Sequence, residues 1–376
     1  MQPVFATDYT TILERIDAID PMKYGRTRNF VDGDVSYLSP YISRGVISTK
    51  QVLDHVMLKG YKIPQIETFV KELCWRDYFQ RVEQVKNLNE DIKHPQEPVN
   101  NHEIPSAILE ASISIEGIDT AIRNLYDTGY MHNHCRMYTA SVVCNIAQSH
   151  WLHPARWMYY HLLDGDWASN ACSWQWVAGT FNGRKYYCNQ RNIDQYFHTN
   201  QPGSFLDQSY EALPKMPIPD VLQPLSDFTS TTVLPNTPMP SLDVSKPLYI
   251  YNSYNLDPNW DASMDANRLL LLEPSHFKRF PISDTVLNFI LELSKNIPGV
   301  EVFVGEVNEI PGLRQFPKIV SKEHPAFRHY PGEKQERDWM FPGLTVKHTS
   351  FFRFWKQAEN KAKKMAGAHQ IALALH

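Results

Sequence analysis

From the start of the chain to about residue 211, apolar residues recur at intervals of three and four, so this stretch is predicted to be helical. Within Gly117 to Asp127, for example, Ile118, Ile122 and Leu125 fall on one stripe. Apolar runs of strand length are scarce there. Between Pro214 and Pro247 the pattern breaks, with eight prolines among serines and threonines. Proline fixes φ and lacks an N–H, so residues 212–246 are predicted to form an extended linker. Beyond it, LYIYN (248–252), RLLLLE (268–273) and VEVFVG (300–305) read as short strands. TVLNFILELSKNI (285–297), between the last two, has the helical period. Strand, helix, strand in that order predicts a parallel α/β sheet. Phe351, Trp355, Ala358, Ala362 and Met365 then recur at four, three, four and three, an amphipathic helix expected to close the sheet. The expected fold class is therefore α plus α/β: a helical domain over 1–211, a linker over 212–246 and a smaller parallel α/β domain over 247–376. No internal repeat is visible.

A length of 376 residues suits two domains, and 43% hydrophobic residues suffice for a sizeable core. Disordered, collagen-like and disulfide-stapled chains are excluded. No run approaches the roughly 20 apolar residues that span a bilayer, so no membrane partner is expected. The first twenty residues show no basic stretch followed by an apolar one, and a cytoplasmic location is expected. A net charge of −4 excludes a strongly basic coat for nucleic acid but leaves room for a local patch. Cys74, Cys135, Cys144, Cys172 and Cys188 contain no C-x-x-C and read as reduced, buried thiols. A four-cysteine iron–sulfur site stays formally open, but the spacing is unlike the usual runs, and no metal is expected.

Four segments carry candidate chemistry. In MHNHCRMYTASVV (131–143), Asn133, Arg136 and Met137 share one helix face. In HLLDGDWASNACSWQW (161–176), Asp164, Asp166, Asn170, Trp174 and Trp176 crowd together. An Arg on one apolar helix and two Asp beside another suggest a buried ion pair next to a polar pocket, because a buried Arg needs a carboxylate. A helix-packing ion pair with Trp as core filler explains the same residues equally well. In VSYLSPYISRGVIS (35–48), hydroxyls at a loop entering a helix could bind phosphate, although Ser beside Pro is commonly only a cap. In KELCWRDYF (71–79), Glu72, Trp75, Arg76 and Phe79 alternate charge and aromatic rings, as an ion-paired surface helix also would.

Taken together and in order, these segments resemble the FAD-binding helical domain of the photolyase/cryptochrome family. The family's T-S-x-L-S-P-Y stands here as Val35-Ser-Tyr-Leu-Ser-Pro-Tyr41, and its E-L-x-W-R-E-F-Y as Glu72-Leu-Cys-Trp-Arg-Asp-Tyr-Phe79. Its T-G-W-M-H-N-R-x-R-M stands as Thr128-Gly-Tyr-Met-His-Asn-His-Cys-Arg-Met137. Its L-x-D-G-D-x-A-x-N-x-x-x-W-Q-W stands as Leu162-Leu-Asp-Gly-Asp-Trp-Ala-Ser-Asn-Ala-Cys-Ser-Trp-Gln-Trp176. The resemblance runs from about Tyr24 to Trp176. It implies a non-covalent FAD, with Tyr24, Ser36, Leu38, Ser39 and Arg76 at the phosphates and ribitol. Arg136 and Asp164 are implied to pair against the flavin ring, Asp166 to accept from its imide and ribose side, and Asn170 to face N5. Trp174 and Trp151 are implied to be the first and second members of an electron-transfer chain. Glu72, Trp75, Asn133, Met137 and Trp176 are implied to line a cavity for a flipped pyrimidine dimer.

The resemblance thus implies a blue-light-driven photolyase acting on damaged DNA as a monomer, with a cryptochrome-like photoreceptor without repair as the alternative. Several departures stand out. Val35 replaces the loop Thr, and His134 replaces an Arg that touches the lesion. The spacer from Ile92 to Ile115 lacks the outermost Trp of the chain, so either Trp157 or Tyr159 substitutes for it or photoreduction is expected to be poor. After Trp176, Arg184, Lys185 and Arg191 interleave with Tyr186, Tyr187 and Tyr196, a mix suited to a DNA backbone with stacked bases, or to a solvated loop. The α/β part follows the helical one, whereas the family places its antenna domain first. NLDPNWDASMDANRLLLLEPSHFKRF (255–280) weakly resembles the start of that domain, and no second chromophore is assigned to it.

Overall fold

The computed structural model describes residues 4–346 and 350–374, with side chains of the last helix described as far as Met365. The chain divides into two compact units that do not follow sequence order. One gathers Arg26–Val35 and Lys86–Ser230; the other gathers Phe5–Gly25, Ser36–Val85 and the chain from Thr231 onward. The division cuts across the helical stretch expected at 1–211, since its segments 5–25 and 36–85 pack with the α/β part. Periodicity identifies the residues that bury, not the distant segment that covers them.

The first unit is built on the helices Glu116–Thr128, Asn133–Ser141, Leu152–His161, Trp167–Ala178 and Gln190–Phe197. Their ends follow local chemistry. Gly129 and Gly179 adopt φ of 70° and 88° and stop two of them, a conformation that costs glycine nothing. Asp166 caps the start of the helix that Gly179 ends, and Asn189 caps the start of Gln190–Phe197. Ile118, Ile122 and Leu125, the predicted stripe, are fully buried, as are Trp151, Trp157, Ala168 and Cys172. A short antiparallel pair, β1 (Ile104–Pro105) with β2 (Leu225–Ser226), lies in the same unit.

The second unit holds a parallel sheet of β3 (Leu248–Tyr251), β4 (Asn267–Leu272), β5 (Val300–Val304), β6 (Ile319–Lys322) and β7 (Glu333–Gln335), in the order β5-β4-β3-β6-β7. The expected α plus α/β fold is thus present, with two strands more than the pattern predicted. Tyr249 of β3 registers with Arg268 on one side and Val320 on the other. Helix Asp284–Ser294 crosses from β4 to β5. The proline-rich segment is extended, but its second half is pinned along edge strand β5: Val304 N donates to Thr237 Oγ1 at 2.9 Å and Ser241 N to Glu301 Oε2 at 2.9 Å. The helix Phe351–Ala374 buries Phe351, Trp355, Ala358 and Ala362 as predicted. Its main packing is against helices Ile63–Val85 and Thr49–Leu58, which corrects the expectation that it closes the sheet. A stripe fixes the buried face of a helix but not its partner. Among the described residues, no helix is long and apolar enough to cross a membrane.

Candidate functional site

In the first unit, His132 precedes helix Asn133–Ser141 and its Nδ1 accepts from His134 N at 3.2 Å. One turn in, Arg136 donates from Nε to the Met131 carbonyl at 2.8 Å and from a terminal nitrogen to Asp164 Oδ2 at 3.0 Å. Asp164 lies in the turn between helices Leu152–His161 and Trp167–Ala178. Its side chain is 4% exposed against 21% for Arg136, so the carboxylate is buried and the guanidinium keeps an accessible edge. Deleting Arg136 would leave the buried carboxylate without its counter-charge. Asp166 caps the next helix, accepting from Ser169 N at 3.3 Å and Ser169 Oγ at 2.6 Å. Asn170, buried one turn later, gives one amide N–H to the Ala155 carbonyl at 2.7 Å. Trp174 and Trp151 are both buried.

The remaining predicted residues of this unit are more open. Asn133 is exposed, and Met137 and Trp176 are half-buried, Trp176 lying 5.8 Å from the Tyr186 ring. His134 is not directed at an open cavity: it is buried, bonded to the Asn29 carbonyl at 3.1 Å and packed on Tyr138 and Tyr196. Arg184 and Arg191 are exposed, while Lys185 is half-buried and its ammonium pKa is lowered by burial. Trp157 is fully buried and donates to Tyr126 Oη at 3.1 Å, and Tyr159 packs edge-on against Trp167. Sequence reasoning missed Asp91. Its Oδ1 accepts from Trp151 Nε1 at 2.6 Å. It lies in an irregular segment with no motif to mark it.

In the second unit, the loop Ser36 to Leu38 leads into helix Ser39–Ser43, with Tyr37 at φ 51°. Arg76 donates to Ser43 Oγ at 2.7 Å, so two of the sequence segments meet here. Tyr24 packs edge-on against Phe69 at 5.1 Å, and Glu72 is half-buried. Trp75 is stacked flat on Phe351, centroids 3.5 Å apart and planes 9° apart, so one indole face is already covered. Asp77, on the same helix, was also missed. It is buried and accepts from Thr49 Oγ1 at 2.7 Å and Met340 N at 2.8 Å, and burial raises its carboxyl pKa.

A cleft opens at the carboxyl ends of β3 and β6, where the strand order reverses. Open α/β sheets hold ligands at that point. Among its lining residues, Asn252 Nδ2, Asn255 Nδ2 and His324 Nε2 are buried without a hydrogen-bond partner among the described residues. His324 Nδ1 accepts from Ala326 N at 3.2 Å, and burial holds the ring well below its ordinary pKa, so Nε2 carries the proton.

Residues 69–239 match the profile of the family described as the FAD binding domain of DNA photolyase. A deoxyribodipyrimidine photo-lyase of Vibrio cholerae is 31% identical over 175 residues, 44% of this chain and 37% of the relative. A cryptochrome DASH of Ostreococcus tauri is 28% identical over 214 residues, 54% of this chain and 38% of the relative. The chain therefore spans little more than a third of the length of these relatives. A cryptochrome of Synechocystis, among solved structures, aligns at a TM-score of 0.45 and 24% identity, covering 59% of this chain and 49% of that one.

Proposed function

Since residues 69–239 make the chain a member of the DNA photolyase/cryptochrome family, we propose that it binds one FAD and, under blue light, splits cyclobutane pyrimidine dimers in damaged DNA. The observation that carries the flavin assignment is the Arg136–Asp164 pair. A reduced flavin holds negative charge on its ring, and a guanidinium in a poorly solvated surround compensates it. Arg136 is anchored by Asp164 and the Met131 carbonyl yet retains an exposed edge, which suits that task. The cofactor supplies the excited electron that the dimer receives and returns. The chain's own residues bind and orient: Asn170 holds its amide fixed against the Ala155 carbonyl. Asp166 caps its helix through Oδ2, and the resemblance assigns it the acceptor role toward the ring's imide and ribose side. Tyr24, Ser36, Leu38, Ser39 and Arg76 are assigned to the phosphates by the same resemblance. Glu72, Asn133, Met137 and Trp176 are proposed to contact the flipped dimer, since such enzymes take the lesion out of the stack. Five buried cysteines support the expected reducing, cytoplasmic setting. A second chromophore, if bound, would have the β3–β6 cleft as its seat.

One observation favours the photoreceptor reading. A base can stack on an indole only where a face is open, and Phe351 occupies one face of Trp75. The deciding experiment is illumination of a dimer-containing oligonucleotide with the purified, FAD-loaded and chemically reduced protein. Restored bases in light and not in darkness support repair. Full FAD occupancy with no repair and equal affinity for lesion and control DNA would overturn it and leave the photoreceptor.

A further inference from the structure

The outermost Trp expected in the spacer from Ile92 to Ile115 is absent, yet Trp151 is not left without an outlet. It is fully buried, and its indole N–H points at Asp91 Oδ1 at 2.6 Å. Gln96 holds both partners in place: its backbone N–H donates to Asp91 Oδ2 at 2.9 Å, and its Oε1 accepts from Trp151 N at 2.9 Å. His150 Nε2 stands 3.7 Å from the same Asp91 oxygen, with its side chain 20% exposed and its ring 4.9 Å from that of His102. The buried indole thus meets a carboxylate whose side chain is itself 23% exposed, with the His150 imidazole beside it. The helix that begins after Trp151 packs on the helix carrying Trp174.

We propose that Asp91 is the proton acceptor for oxidised Trp151, making Trp151 the end of a two-tryptophan electron path. The inference rests on the FAD reading above. Trp174, having given an electron to the excited oxidised flavin, is refilled by one electron from Trp151. The Trp151 Nε1 proton crosses to Asp91 Oδ1. The products are a resting Trp174, a neutral indolyl radical at Trp151 and an uncharged Asp91 carboxyl. An added thiol reductant later returns the electron to Trp151, and the proton comes back from Asp91. The physical reason is charge. An indole radical cation in a low-dielectric interior is costly, and a carboxylate at hydrogen-bond distance first stabilises it and then removes the charge altogether. An outer Trp would do the same by moving the hole to solvent, so the carboxylate replaces the missing ring. His150 offers the proton a path onward from Asp91.

The test compares unmutated protein, Asp91→Asn, Asp91→Glu and Trp151→Phe, each at measured FAD content and melting midpoint. Without light, the Trp151 indole N–H resonance should move upfield in Asp91→Asn and return in Asp91→Glu. After a blue flash on the oxidised holoprotein, time-resolved absorption should show a neutral tryptophan radical, formed more slowly in D2O. In Asp91→Asn the radical should stay cationic and recombine, lowering the photoreduction yield by about tenfold, equivalent to ~1.4 kcal/mol. Asp91→Glu should recover the yield, which a merely structural loss would not allow. An unchanged yield and isotope effect in Asp91→Asn, with Trp151→Phe still blocking photoreduction, overturns the role of Asp91 and leaves the flavin reading intact. Absence of bound FAD, or photoreduction untouched by Trp151→Phe, overturns the electron path itself and Asp91 with it.

Discussion

Two buried carboxylates, one in each unit, are held in different ways. Asp164 faces Arg136, whose charge is permanent, and the pair keeps a charged edge at an accessible surface. Glu273 follows β4 with a side chain 0% exposed; it accepts from Val307 N at 3.0 Å and from the half-exposed His329 imidazole at 2.9 Å. The first arrangement presents a fixed cation outward. The second turns a carboxylate inward to hold a loop, through Val307 N and the His329 ring. A ligand whose charge must be met at every physiological pH needs the first kind. The second kind is a means of fixing the chain after a strand.

The most severe way to break the contrast is Arg136→Ala. It leaves Asp164 buried without its counter-charge, and the loss should be about 3–5 kcal/mol, read as a lower melting midpoint together with lost FAD. Full occupancy and an unshifted midpoint would separate the pair from both stability and cofactor. Glu273→Gln keeps an acceptor for Val307 N but weakens the charged bond to His329. About 1.5–3 kcal/mol should go, with FAD content unchanged in a flavin assay. Acid sharpens the comparison further. Burial lowers His132 and His161 to about 4 in the first unit and His276 to about 3 in the second. The unfolded chain takes up these protons near 6.5 and the folded chain does not, so stability is complete above that pH and declines below it. Each ring should cost ~1.4 kcal/mol per pH unit until its folded value is reached. Denaturant titrations at pH 7, 6 and 5 should show the slope, and His161→Gln should reduce it. The smallest effect is expected from Thr237→Val, which removes the hydroxyl that meets β5 at Val304 N. A loss of ~1 kcal/mol should accompany faster amide exchange at Val304.

What could be read from the sequence followed from repetition and from scarcity. The change from helical period to apolar runs announced the α/β part, an Arg among apolar residues announced its need for a carboxylate, and the family resemblance pointed to Asp164. β6 and β7 escaped because Ile319–Lys322 and Glu333–Gln335 are short, and the second has no apolar run at all. They are strands because β3 and then β6 offer edges to pair with. Asp91 was invisible for a related reason. It meets Trp151 from 60 residues away, in a segment with neither period nor motif. The stack of Phe351 on Trp75 likewise joins two correctly read stripes whose meeting no periodicity encodes.

The split composition of the second unit also sets an order of events during synthesis. Residues 5–25 and 36–85 leave the ribosome early, yet their partners begin only at Thr231. At about 5–20 residues per second, the wait is on the order of ten seconds or more. Meanwhile Val52, Leu53, Val56 and Met57, buried in the finished protein, have no sheet or terminal helix beside them. The stretch Lys86–Ser230, nearly a whole unit in itself, can mature during that interval. A nascent chain stalled before the sheet should therefore carry one protease-resistant core and one chaperone-bound, cleavable amino-terminal arm.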